Sequence, residues 1–336
     1  MKSAPVFRLL LTGLARENVV DIACPPALQT LLRTATPVMP ESGGFERWLC
    51  TTFGAGSQQT LPAAPYAASG DGLPAERGYW LYASPVQLQL QRDSFAMEGV
   101  AQGLSRSQVD ALVAALNAHF SVDGLIFYAP RADVWFVRLD HAPDLSTTPL
   151  SDVLGRNIHP HLPKGGEAML WHRRLNEIQM LLHQHPVNAA REQSGLPPVN
   201  SLWFWGGGQH QALPVHPALK VWSDDPLALG LARAAGAVAM GLPASMQTLL
   251  AQPLPEAGLL ILPASAAQSS PSARAARWAE IDRDWLLPLL AALRRGSLAR
   301  FELLLAGPTA VRGYALHRAS LFKFWRRSRP LETYLG

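Results

Sequence analysis

Cysteine is scarce here: Cys24 and Cys50 are the only two in 336 residues. Two thiols exclude a disulfide framework and a four-cysteine zinc site, so a reduced setting is the simpler expectation. Charge is sparse too, 16% of residues with a formal net of +4, which is little for a nucleic-acid-binding chain. No apolar run reaches the ~18 residues needed to span a bilayer. The opening MKSAPVFRLLLTGLAREN makes a poor signal peptide, because its apolar stretch is brief and Arg8 precedes it. A soluble, cytoplasmic protein with no membrane partner is expected, its VFRLLLTG forming a buried first strand. The common nucleotide and hydrolase signatures are also missing. There is no G-x-x-x-x-G-K-[ST], no G-x-G-x-x-G after a strand, no H-E-x-x-H and no G-x-S-x-G. Repeats and heptads are absent.

What is present suits a large packed core: 48% of residues are hydrophobic, enough chain for two domains. PPALQTLLRTA and GFERWLCTTFG show helical apolar spacing. Residues 54–78, rich in Gly, Ala, Pro and Ser, read as a connection, and the GAGS within them as linker, not nucleophile elbow. YWLYASPVQLQLQRDSFAMEG, GLIFYAP and VWFVRLD read as strands around an amphipathic helix, SRSQVDALVAALNAHF, capped by Ser105 or Ser107. GEAMLWHRRLNEIQMLLHQHP reads as a long helix ended by Pro186. Thereafter strands (NSLWFWGG, ALKVWSD, AGLLILPAS, RFELLLAGP) alternate with helices. Continuous apolar strands alternating with helices predict an α/β core, a mostly parallel sheet covered on both faces. The expected organisation is a core from 1–77 and 181–336, with an α+β module of 78–180 inserted.

Two clusters invite chemistry. His159, His161, His172, His183, His185, His210 and His216 fall in one segment, with Asp224 and Asp225 just beyond. They are either metal ligands or surface and turn residues, and no known ligand spacing matches. At the C-terminal end, FKFWRRSRP mixes Lys323, Arg326, Arg327 and Arg329 with Phe322, Phe324 and Trp325. Such a mixture can hold single-stranded nucleic acid. A solvated helix end packed on the core fits equally and is the preferred reading at low net charge.

Within Leu150–Gln209, LSDVLGRNIHPHLPKG is followed by LLHQHPVNAAREQSGLPPVNSLWFWGGGQ. Asp152, Gly155, Leu162, Pro163, Gly165, His185, Pro186, Val187, Asn188, Arg191, Gly195, Pro198, Asn200, Trp205, Gly206 and Gly208 stand in register with a family pattern. That pattern has a D-I-x-G turn, L-P-x-G, H-P-V-N-x-x-R, P-A-N and a strand ending W-G-x-G. In these positions the chain resembles the archaeal-type cofactor-independent phosphoglycerate mutases of the alkaline phosphatase superfamily. Among mutase-like groups it is most similar to the RpfE-type regulatory proteins of proteobacteria.

The resemblance implies an alkaline-phosphatase-like sheet with a substrate-domain insertion. It also implies two metal ions with a Ser or Thr nucleophile for phosphoryl transfer. The positions for that chemistry look empty. The first strand ends in Thr12-Gly13 where the family has Asp-Gly, and no nucleophile segment precedes CPPALQTLL. The family's acidic, His-containing loop is LLILPASAAQSSPSARA, without Asp, Glu or His, and its late D-H-S-T-P is AGPTAVRG. The resemblance offers His317 alone as a counterpart of a further family histidine.

The expectation is therefore a non-catalytic regulatory or interaction protein without cofactor. Asp152, His185, Asn188, Arg191, Asn200, Trp205, Gly206, Gly208, Gln209, Asp224 and Asp225 are the candidates for holding a phosphorylated small molecule in an inter-domain cleft. Asn188 and Asn200 could instead satisfy buried backbone, and Arg191 pair with Asp152 or a helix C-terminus. One alternative is a mutase or phosphatase with Mn or Zn on His185, His210, Asp224 and Asp225. The other is a protein partner or single-stranded nucleic acid at Lys323, Trp325, Arg326, Arg327 and Arg329.

Overall fold

A computed structural model describes residues 6–14, 24–56, 61–91, 94–255, 257–264, 270–323 and 325–335. Along the chain the strands are β1 (Phe7–Thr12), β2 (Thr36–Pro37), β3 (Glu41–Ser42), β4 (Tyr79–Leu90), β5 (Phe95–Val100), β6 (Leu125–Tyr128), β7 (Phe136–Leu139), β8 (Ser201–Gly208), β9 (Lys220–Trp222), β10 (Val238–Met240), β11 (Gly258–Pro263), β12 (Arg300–Ala306) and β13 (Ala310–His317). They form two sheets in two compact units, residues 1–53 with 214–336, and residues 54–213.

In the first unit the order is β10-β9-β11-β1-β12-β13-β2, with β3 also on β13. From β10 to β12 all pairs are parallel, whereas β13, β2 and β3 pair antiparallel. The fold class is thus mixed α/β with a mostly parallel sheet, as the strand–helix alternation predicts. β1 is central: Leu9 and Leu10 point to opposite faces and both are fully buried, which is why Leu9–Leu11 reads as an unbroken apolar run. Leu9 and Leu11 share a core with Leu28 and Leu31 of the helix Pro26–Thr34 and with Leu286, Leu289 and Leu293 further along. That later helical stretch runs Pro271–Ile281, then a π turn Asp282–Leu286, then Leu287–Arg295. Pro288 cannot donate to the preceding turn, and a π turn just before it absorbs the missing bond.

The second unit has the order β5-β4-β7-β6, with β8 on β4, all antiparallel. Ser105 caps the helix Arg106–Phe120 through a capping box with Gln108. Three expectations change here. β8 does not join the parallel sheet; it lies antiparallel to β4, so the second unit reaches beyond 78–180 on both sides. A continuous apolar strand signals only that both faces are covered, and here the helices Ala63–Gly70 and Ala168–His183 pack against it. Ala63–Gly70 itself was expected as linker, yet Ala63, Ala64, Tyr66, Ala67 and Ala68 are fully buried, small side chains that let a helix approach closely. Pro186 does not simply end a helix. It is the first residue of a new one, Pro186–Gln193, where its missing N–H is no loss.

Among the described residues no helix is long and apolar enough to cross a membrane. Both thiols are held protonated by burial: Cys50 is pushed up to about 12, with Glu46 adding to the effect, and Cys24 to about 11, with Asp282 adding. The thiolate is the nucleophile, so at pH 8 the native protein should react with a disulfide reagent far more slowly than the unfolded chain. Fast labelling of native Cys50 would contradict the packing of the helix Phe45–Phe53.

Candidate functional site

In a parallel sheet, ligands and chemistry gather at the carboxyl ends of the strands. At that edge of the first unit, β1 ends at Thr12, which accepts a hydrogen bond from the Ala264 amide (2.9 Å) just past β11. β9 ends at Trp222, followed by Ser223, Asp224 and Asp225. The β12–β13 turn brings Thr309, whose carbonyl accepts from the Gly43 amide (2.8 Å). Ser265 and most of the loop after β11 lie outside the described residues.

Asp224 and Asp225, the two acids that follow β9, are occupied by backbone. Asp224 Oδ1 accepts from the Leu242 amide (3.1 Å). Asp225 is the N-cap of the helix Pro226–Ala234, its Oδ1 accepting from the Ala228 amide (2.9 Å). His317 does not come to this edge. β13 runs antiparallel to β12, so His317 sits opposite Arg300, the first residue of β12, about 23 Å along the strand from Ala310. There its Nδ1 accepts from the Ser320 amide (3.1 Å), capping a short 3-10 turn.

The histidines scatter into separate local roles. His185 caps the helix Pro186–Gln193, its Nδ1 accepting from the Val187 amide (3.2 Å). His210 lies against the Tyr66 ring, and desolvation lowers its pKa although Glu76 pulls it up. His216 meets Phe53 edge-on. His172 Nε2 bonds the Pro163 carbonyl (2.9 Å), while His159 and His183 are exposed and His161 is half-buried. Among the described residues no group of three or more His, Cys, Asp or Glu could hold a metal ion. The described residues therefore form no two-metal centre, in which paired cations about 4 Å apart need carboxylates between them.

The candidates carried by the resemblance are brought together in the second unit as scaffold. Asn188 Nδ2 donates to the Leu182 and Val199 carbonyls (both 2.8 Å), and its Oδ1 accepts from the Val199 amide (2.9 Å). Asn200 grips Leu88 of β4 at both its amide and carbonyl (2.8 Å each), extending the β4–β8 ladder. Arg191 is buried and pairs with neither Asp152 nor a helix end. It donates to the carbonyls of Pro197 (2.9 Å), Gln102 (2.7 Å) and Gly103 (3.2 Å), tying one loop to another. Burial lowers its pKa. Asp152 is exposed on a 3-10 turn.

The glycine run is a β-bulge. Trp80 faces Gly208 and Tyr82 faces Trp205, so three steps on β8 match two on β4. Gly206 takes φ +68°, as the first residue of a glycine bulge requires. Trp205 stacks on Tyr82 (4.2 Å, 9°) and donates to Ser84 Oγ, while Phe204 on the other face meets Trp171 edge-on (5.0 Å). Gln209 follows, exposed.

A cavity of about 280 Å³ opens in this unit under Leu88, Phe95, Ile158 and Trp203. Its polar lining is His172, Asn176, Gln179 and Ser201. Three of these recur at i, i+4 and i+7 on the helix Ala168–His183, a stripe legible in the sequence but passed over. None of the lining residues is an Arg, Lys, Asp or Glu, so a phosphorylated ligand finds no counter-charge there.

The basic-aromatic segment is not a helix end packed on the core. A 3-10 turn, Arg318–Phe322, leads into irregular chain. Phe322 and Trp325 are 68% and 69% exposed. Arg326, Arg327 and Arg329 are exposed beside them, and Phe324 lies outside the described residues.

No protein-family model matches the chain. A 2,3-bisphosphoglycerate-independent phosphoglycerate mutase from Methanothrix thermoacetophila is 38% identical over 71 residues, 21% of this chain and 18% of its own length. A probable enzyme of the same description from Geobacter sulfurreducens is 29% identical over 129 residues, 37% of this chain and 32% of its own. The chain thus spans at most about a third of these relatives. Among solved structures, the PH0037 protein of Pyrococcus horikoshii matches with TM-score 0.52 at 15% identity, covering 94% of this chain and 88% of that one, a likeness of fold. Taken together, the chain has partial, low-identity homology to cofactor-independent phosphoglycerate mutases.

Proposed function

We propose that this chain is a non-catalytic regulatory or interaction protein on a mutase-like scaffold. The observation that carries the proposal is the state of the carboxyl edge of the parallel sheet. Asp224 and Asp225, after β9, are engaged by backbone amides, and Thr12, Ala264 and Thr309 stand where metal-supported phosphoryl transfer would need further carboxylates or imidazoles. The regulatory part of the reading is supported by the resemblance to RpfE-type proteins alone.

The test is interconversion of 3- and 2-phosphoglycerate, with hydrolysis of a chromogenic phosphate ester, in the presence of Mn²⁺ or Zn²⁺. No turnover above buffer, and no metal retained in stoichiometric amount, is the expected result. Turnover that disappears in Asp224→Asn or Asp225→Asn would overturn the proposal. Asn at the second position still caps the helix, so lost turnover there could not be blamed on lost folding.

A further inference from the structure

Charge is segregated along this chain. Residues 294–329 hold nine Arg and Lys against one acid, Glu302, a net of +8, so the other 300 residues carry −4 of the total +4. The low net charge hides a basic segment.

The fold of the first unit brings Arg294, Arg295, Arg300, Arg318, Lys323 and Arg326 of that segment to the amino edge of its sheet, whereas Arg312, opposite Leu305, lies towards the carboxyl edge described above. The helix Leu287–Arg295 delivers Arg294 and Arg295 there. β12 starts there at Arg300, paired with His317, and Arg318 follows directly. A Cβ on Gly296 would lie 3.3 Å from the Arg318 guanidinium, which places Arg318 beside the end of that helix. Arg326 donates to the Ala35 carbonyl (2.7 Å), the C-cap of Pro26–Thr34, and Lys323 to Thr36 Oγ1 (3.2 Å).

Helix C-termini attract cations, which accounts for Arg326 at one helix end and draws Arg294, Arg295 and Arg318 to the end of Leu287–Arg295. A helix end carries only about half a negative charge, so three arginines there leave a surplus. Arg294, Arg295, Arg327 and Arg329 are exposed and form no ion pair among the described residues. Two aromatic rings, Phe322 and Trp325, stand exposed within the same segment.

We propose that this edge binds single-stranded nucleic acid, with arginines on the phosphates and bases stacked on Phe322 and Trp325. Eight of the nine cations are Arg, which pairs bidentately with phosphate and stacks on planar rings where Lys cannot. The rings offer every base a π-face without sequence readout. Arg318–Phe322 and the irregular chain after it provide neither a helix nor a ribbon to enter a duplex groove. Nor do they provide the amphipathic helix that a lipid surface takes up.

The experiment is fluorescence anisotropy of the full chain with a labelled single strand of about 12 nucleotides, of RNA and of DNA. Binding at low salt is expected, weakening with log salt at a slope near −3 for about four phosphates. The Arg294→Gln, Arg295→Gln, Arg327→Gln, Arg329→Gln variant should weaken it at least tenfold and flatten the slope. Trp325→Ala should weaken it about tenfold with the slope kept. Circular dichroism of each variant checks the fold. No binding at low salt, binding untouched by the four glutamines, or capture by anionic phosphatidylserine vesicles with no strand bound would each overturn the proposal. A duplex bound as tightly as the single strand, with Trp325→Ala without effect, would overturn the stacking.

Discussion

Arg191→Met is expected to destabilise the second unit by about 3 kcal/mol, among the largest effects of any polar substitution in this chain. The guanidinium is 1% exposed and spans three backbone carbonyls, those of Pro197, Gln102 and Gly103. Methionine fills much of the volume but leaves those acceptors without donors, at about 1–3 kcal/mol each before water repairs some of them. The relief of no longer burying a cation, whose pKa desolvation lowers, offsets part of that cost. The loops at 102–103 and 197 would then be held only by packing. Hydrogen exchange localises the outcome: amides in 54–213 should lose protection while those in 214–336 keep theirs. Arg191→Lys should rescue little, because an ammonium cannot reach three carbonyls in a plane. Were Arg191 instead an anion donor, the variant would keep its protection and lose only phosphate binding.

Arg191 also shows what a sequence can and cannot convey. Asn188, Arg191 and Asn200 stand in a mutase-like register, and that register marks a cluster of polar residues in the chain. It could not say whether the cluster faces a ligand or the backbone, because both demand the same polar residues in the same order. The hydrogen bonds decide it: Asn188 and Asn200 each close a ladder-like pair with backbone. The parallel sheet was legible because Leu9–Leu11 of β1 and Leu259–Leu262 of β11 are unbroken apolar runs, buried on both faces. β8 looks the same in sequence and belongs elsewhere, since apolarity reports coverage of both faces and not strand direction. AAPYAAS read as a linker because small residues mark flexible chain and tight helix packing alike. The basic edge escaped a whole-chain charge count, since a surplus of +8 in one segment is nearly cancelled by acids elsewhere.

Gly207→Val should be the most damaging single change in the β4–β8 ladder, at about 3 kcal/mol or more, with Gly207→Ala costing about 1–3. A Cβ at Gly207 would land on the Tyr79 hydroxyl and lie 2.8 Å from Leu81 Cδ2 and 3.0 Å from Tyr79 Cε1. Both neighbours belong to β4 and are buried, so neither can swing into solvent. Gly206→Ala fails for a different reason. Its φ of +68° disfavours any side chain, by about 1 kcal/mol, and the new Cβ would press at 3.0 Å on Tyr82, the ring stacked under Trp205. The two substitutions can be told apart by rescue. Tyr79→Phe removes the atom nearest the Gly207 methyl and should recover part of the loss in Gly207→Ala, while leaving Gly206→Ala unimproved. Near-ultraviolet circular dichroism should report Gly206→Ala through the Tyr82–Trp205 stack. If both variants melted like the parent and differed only in affinity for inorganic phosphate, the glycines would be a ligand loop after all. The bulge predicts the opposite: stability lost, and phosphate without effect on either protein.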